Sequence, residues 1–285
     1  MNETYIRFPN FTQKALTFSY DDGTRQDKRL IEIMVKYGLK GTFNINSGLF
    51  DDEYNGQEIG RMTKEECLKL YLSSNMEVGI HGYKHMSLTD VDSSLAMNDI
   101  IYDRRELENM FGKIIAGMAY ANGSYNDEVV SLLRNAGITY SRTTVSTGSF
   151  DLPSNWLTLH PTCHHNNPKL MDYAKDFVES KEHWYYWGRK LKLFYVWGHS
   201  CEFDEKNNWD YFEKFAEYVG HRDDIWYATN GEIYDYLKAC ESLQFSTDGS
   251  FVRNNSSINI YLDFINNKCV VPAGKTVCIK TGEVI

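Results

Sequence analysis

The sequence predicts an α/β fold in which parallel strands form a closed or nearly closed barrel, followed by a small C-terminal β appendage. Three observations predict it. Apolar runs of strand length alternate with amphipathic stretches of helical period up to about residue 242. Repeated strand-then-helix units imply a parallel sheet, and about seven of them in one chain favour a barrel. Beyond residue 242 the helical period is lost and short alternating runs follow.

The first half of the chain begins this alternation. We expect Thr24 to cap the first helix, which ends at Gly38, and Thr63 with Glu66 to form the capping box of the second. The predicted strands are 14–20, 40–46, 76–80, 113–120 and 138–144, and the later predicted helices are 63–74, 92–111 and 126–137.

The second half continues the alternation and then changes character. Strands are predicted at 156–162, 190–198 and 224–229, with helices near 170–180, 208–219 and 231–241. Residues 243–285 carry short alternating strands separated by DG, NN and PAGK turns. About 40 residues rarely hold a core alone, so this segment packs on the barrel or forms a tiny module. The chain is therefore divided into a catalytic domain at 1–242 and a β appendage at 243–285.

Composition excludes some classes of partner. A net charge of −9 and a pI near 5.4 leave no basic stripe for nucleic acid or anionic membranes. No apolar run approaches the roughly 18 residues of a membrane span, and the N-terminus lacks a signal pattern, so a cytoplasmic location is expected. The six cysteines form no CxxC pair and are expected to be reduced. The sequence leaves the oligomeric state open.

Ionisable and polar side chains follow several predicted strands directly. Asp21 and Asp22 follow the first strand, His81 and His85 follow the third, and His199 follows the strand at 190–198. Because the carboxyl ends of parallel barrel strands lie on one face, these five residues are expected to converge there. An Asx-turn at the two aspartates would be compatible with this arrangement, since the turn would aim the carboxylates.

The residue types at this face suit a metal. Asp22, His81 and His85 would supply the three protein ligands that a hydrolytic zinc site needs. The HxxxH spacing alone could suggest a zincin helix, but Gly82 stands where that motif requires glutamate, so the zincin interpretation is rejected. The stretch HPTCHHNNP adds His160, His164 and His165, for which a solvated loop is favoured over a groove lining or a second metal site.

These motifs carry a family resemblance over roughly residues 12 to 240. SYDDGT resembles the first motif of polysaccharide deacetylases, the NodB-homology domains of carbohydrate esterase family four, usually written TFDDG. HGYKH resembles their second motif, H-[ST]-x-x-H, with Gly82 replacing Ser or Thr. The resemblance implies a distorted (β/α)7 barrel, a divalent metal that is usually zinc, and hydrolysis of an acetyl group from an acetylated mono-, oligo- or polysaccharide.

The resemblance also implies roles. Asp21 matches the general base, Asp22, His81 and His85 match the metal ligands, and His199 in YVWGHS matches the general acid. The aromatic content of 14% suits a saccharide surface or a large core, and Trp187 and Trp209 are further candidate sugar platforms. The candidate substrate-binding residues are Tyr83, Tyr120, Asn122, Arg142 and Trp197.

The third motif of the family, R-x-P-[YF], is altered. It appears as MAYANGSYN, with Ala119 near the place of the arginine that usually orients the base. Arg142 could replace that arginine or be a rim charge, and Glu202 or Asp204 could pair with His199. Backbone amides from Tyr120 to Gly123 are candidates for the oxyanion hole.

Two other functions compete with a carbohydrate deacetylase. The first is a hydrolase acting on another non-peptide C–N bond, and the second is a carbohydrate-binding relative that has lost turnover with the third motif. Retention of Asp21, Asp22, His81, His85 and His199 argues against the second, because binding alone requires none of them.

Overall fold

The structure is a computed structural model that describes residues 4–50, 53–54, 57–58, 60–181, 190–264 and 267–285. Trp187, predicted as a sugar platform, lies outside the described residues. The strands are β1 (Thr4–Arg7), β2 (Lys14–Asp21), β3 (Gly41–Ile45), β4 (Glu53–Tyr54), β5 (Gln57–Glu58), β6 (Glu77–Ile80), β7 (Gly117–Ala119), β8 (Tyr140–Arg142), β9 (Cys163–His164), β10 (Lys192–His199), β11 (Ile225–Tyr227), β12 (Gln244–Phe245), β13 (Phe251–Arg253), β14 (Ile260–Phe264), β15 (Asn267–Val271) and β16 (Thr276–Cys278). The helices are α1 (Asp27–Lys36), α2 (Lys64–Ser74), α3 (Ser93–Phe111), α4 (Asp127–Asn135), α5 (Leu170–Glu179), α6 (Glu202–Glu205), α7 (Trp209–Val219) and α8 (Asn230–Glu241).

The central sheet is a curled parallel sheet with strand order β8-β7-β6-β3-β2-β10-β9, and β11 pairs with the first residues of β2. Residues between β8 and β9 connect the two ends of this order. Leu159 pairs with Arg142 of β8, and the amide of Thr162 donates to the carbonyl of Tyr195 on β10. The predicted distorted (β/α)7 barrel is therefore confirmed.

Strand register aligns the upper ends of the barrel strands. Asp21 at the end of β2 lies opposite His199 of β10 on one side and Asn44 of β3 on the other. Ala119 of β7 lies opposite Arg142 of β8. Polar residues that are far apart in the sequence thus meet at one level.

The two faces of β2 differ in chemistry because successive side chains point to opposite sides of a strand. Phe18 packs edge-on against Phe212 and Phe215 of α7 in the main hydrophobic core. Thr17 and Ser19 point the other way and hydrogen-bond to Asn230 and Asn44. The barrel therefore has an apolar exterior under the helices and a hydrogen-bonded polar interior.

Three local predictions need correction. Thr24 does not cap α1, because the helix begins at Asp27 and the Thr24 hydroxyl hydrogen-bonds to Ser200 instead. The strand predicted at 113–120 is confined to Gly117–Ala119, the residues with partners on β8. The strand predicted at 156–162 begins as a 3-10 turn, and Pro161, which has no N–H to donate, separates the turn from β9.

Helix α2 begins as predicted, since Thr63 and Glu66 form both hydrogen bonds of the capping box.

Among the described residues, no helix has the length and hydropathy needed to cross a bilayer.

The N-terminal strand belongs to the C-terminal β segment. β1 pairs antiparallel with β14, which also pairs with β15, and β12, β13 and β16 form a second small sheet. Leu262 and Val252 pack with Phe8 and with Tyr236 of α8 in one hydrophobic cluster. The Tyr236 hydroxyl donates to the carbonyl of Arg7 and accepts from the amide of Tyr261. The division at residue 242 stays a prediction, but the two segments share a core.

This shared core predicts the effect of truncating one side chain. Leu262→Ala should lower the free energy of unfolding by about 2–5 kcal/mol, because Leu262 is fully buried and truncation leaves a cavity. Urea unfolding followed by tryptophan fluorescence measures it. The matched control Leu72→Ala removes the same atoms from a side chain that is 57% exposed and should change the value by about 0.5 kcal/mol or less. Equal values for the two variants would contradict the shared core.

Candidate active site

Five side chains meet above the barrel, and we call them the aspartate–histidine cluster: Asp21, Asp22, His81, His85 and His199. Asp21 and His199 end their strands, and His81 follows β6 directly. The Oδ2 atom of Asp21 lies 3.8 Å from His81 Nε2 and 3.9 Å from His199 Nε2. The residues predicted to converge at the strand ends are therefore adjacent in the fold.

Asp22, His81 and His85 have the geometry of a metal-binding trio. The Oδ1 atom of Asp22 lies 3.6 Å from His85 Nε2 and 3.9 Å from His81 Nε2. The Nδ1 atom of His81 donates to the carbonyl oxygen of Ala119 at 2.9 Å, so in the neutral ring the lone pair lies on Nε2. Burial lowers the pKa of His85 to about 4, so this ring is neutral. Two imidazoles and a carboxylate suit zinc.

Gly82, which replaces the usual serine or threonine of the second motif, is required by its surroundings. Its φ of +83° is a left-handed conformation that side chains rarely adopt, and an added Cβ would lie 2.5 Å from Asp99 Oδ2. Asp99 uses its other oxygen to accept from the amide of Lys84 at 2.8 Å. A carboxylate from α3 thus supports the loop from outside and occupies the space that a residue 82 side chain would need.

Asp103, one turn further along α3, supports the same loop. It is fully buried and accepts from the amide and hydroxyl of Ser47 and from the amide of His81 at 3.0 Å. Burial raises the pKa of this carboxyl to about 7 in spite of these hydrogen bonds. Sequence reasoning missed both Asp99 and Asp103, although their four-residue spacing on one helix face was a usable signal.

Asp21 is 2% exposed and is held by two partners from neighbouring strands. Arg142 donates to its Oδ2 in an ion pair, and Asn44 Nδ2 donates to its Oδ1 at 3.0 Å. Burial alone would raise the pKa of Asp21. The guanidinium of Arg142 and the imidazoles of His81 and His199 outweigh burial and hold the pKa at about 2. Asp21 is therefore ionised at neutral pH.

The sequence suggested Arg142 as a substrate-binding residue. In the structure its side chain is buried beside Asp21. It is fully buried between Asp21 and the Trp197 ring, whose centroid lies 4.4 Å from the guanidinium carbon. Its place in the register is informative, because Arg142 lies directly opposite Ala119, near which the family motif has its arginine. A positive charge thus contacts the aspartate from the strand next to Ala119.

Asp22 has an arginine partner that the sequence did not indicate. Arg61 donates from Nη2 to Asp22 Oδ1 at 3.1 Å and from Nε to the Asp22 carbonyl at 3.3 Å. The backbone around Arg61 is tied to the loop after β2 by the amide of Met62, which donates to the carbonyl of Gly23. Burial would raise the pKa of Asp22, but His81, His199 and Arg61 together lower it.

His199 is paired with Glu202, and Asp204 is not its partner. His199 Nδ1 lies 2.9 Å from Glu202 Oε1, whereas Asp204 accepts from Trp209 Nε1 and Gln26. Burial would lower the pKa of His199, but the hydrogen bond to Glu202 and the charges of Asp21 and Asp22 raise it. The raised pKa favours the protonated form of His199, whose Nε2 atom faces Asp21.

Tyr120, a further candidate substrate-binding residue, is buried. Its ring is 1% exposed and its hydroxyl donates to the carbonyl of Leu157 at 2.7 Å. The amides of Tyr120 and Gly123 donate to the carbonyls of Arg142 and Tyr120, so neither is available to an oxyanion.

The other substrate candidates remain predictions. Asn122 is exposed and donates to the Ser87 hydroxyl at 3.0 Å. Tyr83 is half-buried against Tyr102, with ring centroids 6.1 Å apart. Trp197 is 8% exposed, and its Nε1 atom has no hydrogen-bond partner among the described residues.

The last candidates are Trp209 and the three histidines of the HPTCHHNNP stretch. Trp209 is buried against Phe203 and is part of the core. His160 lies 2.6 Å from the Thr143 hydroxyl, whereas His164 and His165 converge on Glu202. The solvated loop favoured from the sequence is therefore wrong for His165, which is 1% exposed.

The environment of Gly82 leads to a prediction. Gly82→Ser should lower the free energy of unfolding of the metal-free protein, because it combines backbone strain of about 1–3 kcal/mol with a collision against Asp99. The matched control is Gly112→Ser, since Gly112 has a similar φ of +64° and no atom within 4 Å of an added Cβ. Urea unfolding should show a larger loss for Gly82→Ser. Equal losses would mean that Asp99 does not exclude a side chain at this position.

Comparisons with known proteins agree with the two motifs. The family model described as polysaccharide deacetylase matches residues 9–141. No curated protein matches the sequence. A protein from Mycobacterium smegmatis described as a polysaccharide deacetylase superposes with a TM-score of 0.59 at 14% identity, covering 85% of this chain and 96% of that one.

A second solved structure is a carbohydrate esterase family four pseudoenzyme from Bacillus anthracis, in a mutant form with restored enzymatic activity. It superposes with a TM-score of 0.50 at 18% identity, covering 81% of this chain and 70% of that one. At such identities the two structures establish the shared fold. Residues 9–141 therefore match the polysaccharide deacetylase family model, and the barrel as a whole has the fold of the two solved structures.

Proposed function

We propose that the protein is a metal-dependent deacetylase of acetylated carbohydrates, with the catalytic domain at 1–242 and the β appendage at 243–285. One observation carries the proposal. Two adjacent aspartates have different partners, since Asp22 faces two histidines and Asp21 is held by Arg142 and Asn44. Carboxylates with such different partners can take different roles, one as a metal ligand and the other as a general base.

Asp22, His81 and His85 would hold the metal, most plainly zinc, because their donor atoms and tautomers suit it. When bound, a divalent metal supplies Lewis-acid chemistry that polarises an acetyl carbonyl and acidifies water. Asp103 and Asp99 fix the loop that carries the two histidines, so the ligands are positioned before the metal arrives.

Asp21 acts as the general base that takes a proton from the attacking water. Arg142 and Asn44 each bind one of its oxygens, which fixes the plane of the carboxylate. A carboxylate with a pKa of about 2 is a weak base, and it would suffice for a water that a bound metal had acidified. Arg142 thus keeps Asp21 ionised and, by lowering its pKa, makes it a weaker base.

His199 acts as the general acid. Its Nδ1 is engaged with Glu202, which leaves the Nε2 proton for the departing amine or alcohol. Since Nε2 lies 3.9 Å from Asp21, acid and base flank the same reacting centre. Tyr83, Asn122 and Trp197 are the proposed contacts to the sugar.

Acetate release from metal-free protein tests this function. N-acetylglucosamine oligomers and acetylated xylan, each with and without added zinc, should show zinc-dependent release of acetate. Asp21→Asn should lower kcat by about 10²–10⁴-fold with zinc still bound, because only the base is lost. His81→Ala should lose zinc and activity together, because a metal ligand is lost.

The other outcomes separate the competing functions. Stoichiometric zinc without acetate release across the panel would favour a different C–N bond as substrate. Absence of both zinc binding and turnover would favour a carbohydrate-binding relative. The experiment has to include this last outcome, because the Bacillus anthracis pseudoenzyme shares the fold and its activity had to be restored by mutation.

The buried arginine leads to a separate prediction. Arg142→Met should lower the free energy of unfolding by about 3–5 kcal/mol, because it leaves Asp21 as a buried charge without its ion pair. The same variant should lower kcat more than it changes KM, since Arg142 is buried away from the substrate. Arg105→Met is the control, because Arg105 is 57% exposed and should change neither quantity. An active, equally stable Arg142→Met protein would contradict the role of the ion pair.

A further inference from the structure

Glu202 joins the active site to a second group of histidines. Its Oε1 atom accepts from His199, and its Oε2 atom lies 3.2 Å from His165 Nε2 and 3.5 Å from His164 Nε2. One donor atom from each of Glu202, His164 and His165 lies within 4.8 Å of the other two. We call these three residues the rear cluster; it shares no residue with Asp22, His81 and His85.

The buried imidazole of His165 makes no well-aligned hydrogen bond to a described residue. Its side chain is fully buried, with the ring stacked between Phe203 at 4.2 Å and Tyr20 at 5.6 Å. Neither ring nitrogen has a hydrogen-bond partner among the described residues, and the close approach to Glu202 is not aligned as a hydrogen bond. Burial lowers the pKa of His165 to about 4, so the ring is neutral. A buried polar group without a partner calls for a ligand, and a free imidazole lone pair is a metal ligand.

The backbone of β10 makes room for this ring. An ideal Cβ on Gly198 would overlap His165 Nδ1, so any larger residue would displace the imidazole. The absence of a side chain at position 198 lets His165 lie beside the strand, with its Nε2 atom 3.2 Å from Glu202 Oε2.

His164 limits how tightly the rear cluster can bind a cation. Its Nδ1 atom accepts from the amide of Asn166 at 3.1 Å, so the neutral ring carries its proton on Nε2. That proton must leave before Nε2 can bind a metal, and the hydrogen bond from Asn166 must be given up. Asn166 Nδ2 also donates to Glu202 Oε2. A cation therefore competes with existing hydrogen bonds here, whereas His81 in the first trio is already in the required tautomer.

The donor set selects the class of cation. Two imidazoles and one carboxylate favour zinc and neighbouring transition metals over magnesium or calcium, which prefer oxygen ligands.

We propose that His164, His165 and Glu202 bind a second zinc-class cation, more weakly than Asp22, His81 and His85, and that this cation inhibits the enzyme. The inhibition follows from the shared carboxylate. A cation on Glu202 weakens that carboxylate as an acceptor for His199 Nδ1, so the imidazole that delivers the proton is less well oriented. The binding part stands alone, and the inhibitory part rests on the proposed deacetylase function.

Calorimetric titration of the metal-free full-length chain with Zn²⁺ tests the site without any substrate. Two binding steps are expected, of which His81→Ala removes the tighter one. His165→Asn should weaken the second step at least tenfold and leave the first unchanged. His164→Asn should do the same, because the asparagine oxygen can still accept from the Asn166 amide while the Nε2 ligand is gone.

The control is His221→Asn, which removes a histidine bonded to the Lys36 carbonyl far from Glu202 and should leave both steps unchanged. A single binding step in the unaltered protein would overturn the proposal. A second step that persists in both His164→Asn and His165→Asn would also overturn it. Two variants are used so that the test can still be made if one of them does not fold.

Acetate release as a function of zinc concentration tests the inhibition. The unaltered protein should gain activity as the first step fills and lose it as the second fills, whereas His165→Asn should reach the same maximum and keep it. Equal loss in both proteins would overturn the inhibitory role. If no acetate is released from any substrate, the proposed function fails, and the calorimetric steps still decide whether the rear cluster binds zinc.

Discussion

A carboxylate that is buried without compensation costs several kcal/mol, and Asp21 ends β2 at a depth where only 2% of it is exposed. The upper end of the barrel is organised around that charge. Asn44 of β3 donates to Oδ1 of Asp21. Arg142 of β8 donates to Oδ2, and His81 and His199 lie near the same oxygen. Each of these residues is in turn held by others, so the compensation of one charge fixes the arrangement of the whole site.

The fold and the aspartate–histidine cluster could be predicted because both depend on local patterns. Strand and helix periods are visible in windows of a few residues, and a residue that directly follows a strand is known to lie at the barrel face. Asp21, His81 and His199 were accessible in this way. The segment around Pro161 was not, because closure between β8 and β10 is achieved there by a turn and two short pairings.

The remaining parts of the site depend on contacts between distant segments, which one sequence does not display. Arg142 was recognised as a charge, but its burial against Asp21 follows from strand register, which the sequence leaves unspecified. Arg61 and Asp99 act through a backbone turn and a helix face that carry no motif. Tyr120 resembled a surface aromatic because its hydroxyl partner, the Leu157 carbonyl, lies in a different loop.

The pairing of β1 with β14 has a consequence for synthesis of the chain. Arg7 on the first strand bonds to Asp263, which lies 256 positions later. The ribosome must therefore add these 256 positions before β1 finds its neighbour, and until then Phe8 and Tyr236 have no cover from Leu262. Such non-local closure is slow because the loop entropy is lost before the contacts form. A chain that ends before Leu262 would therefore leave the apolar surface of Phe8 and Tyr236 exposed.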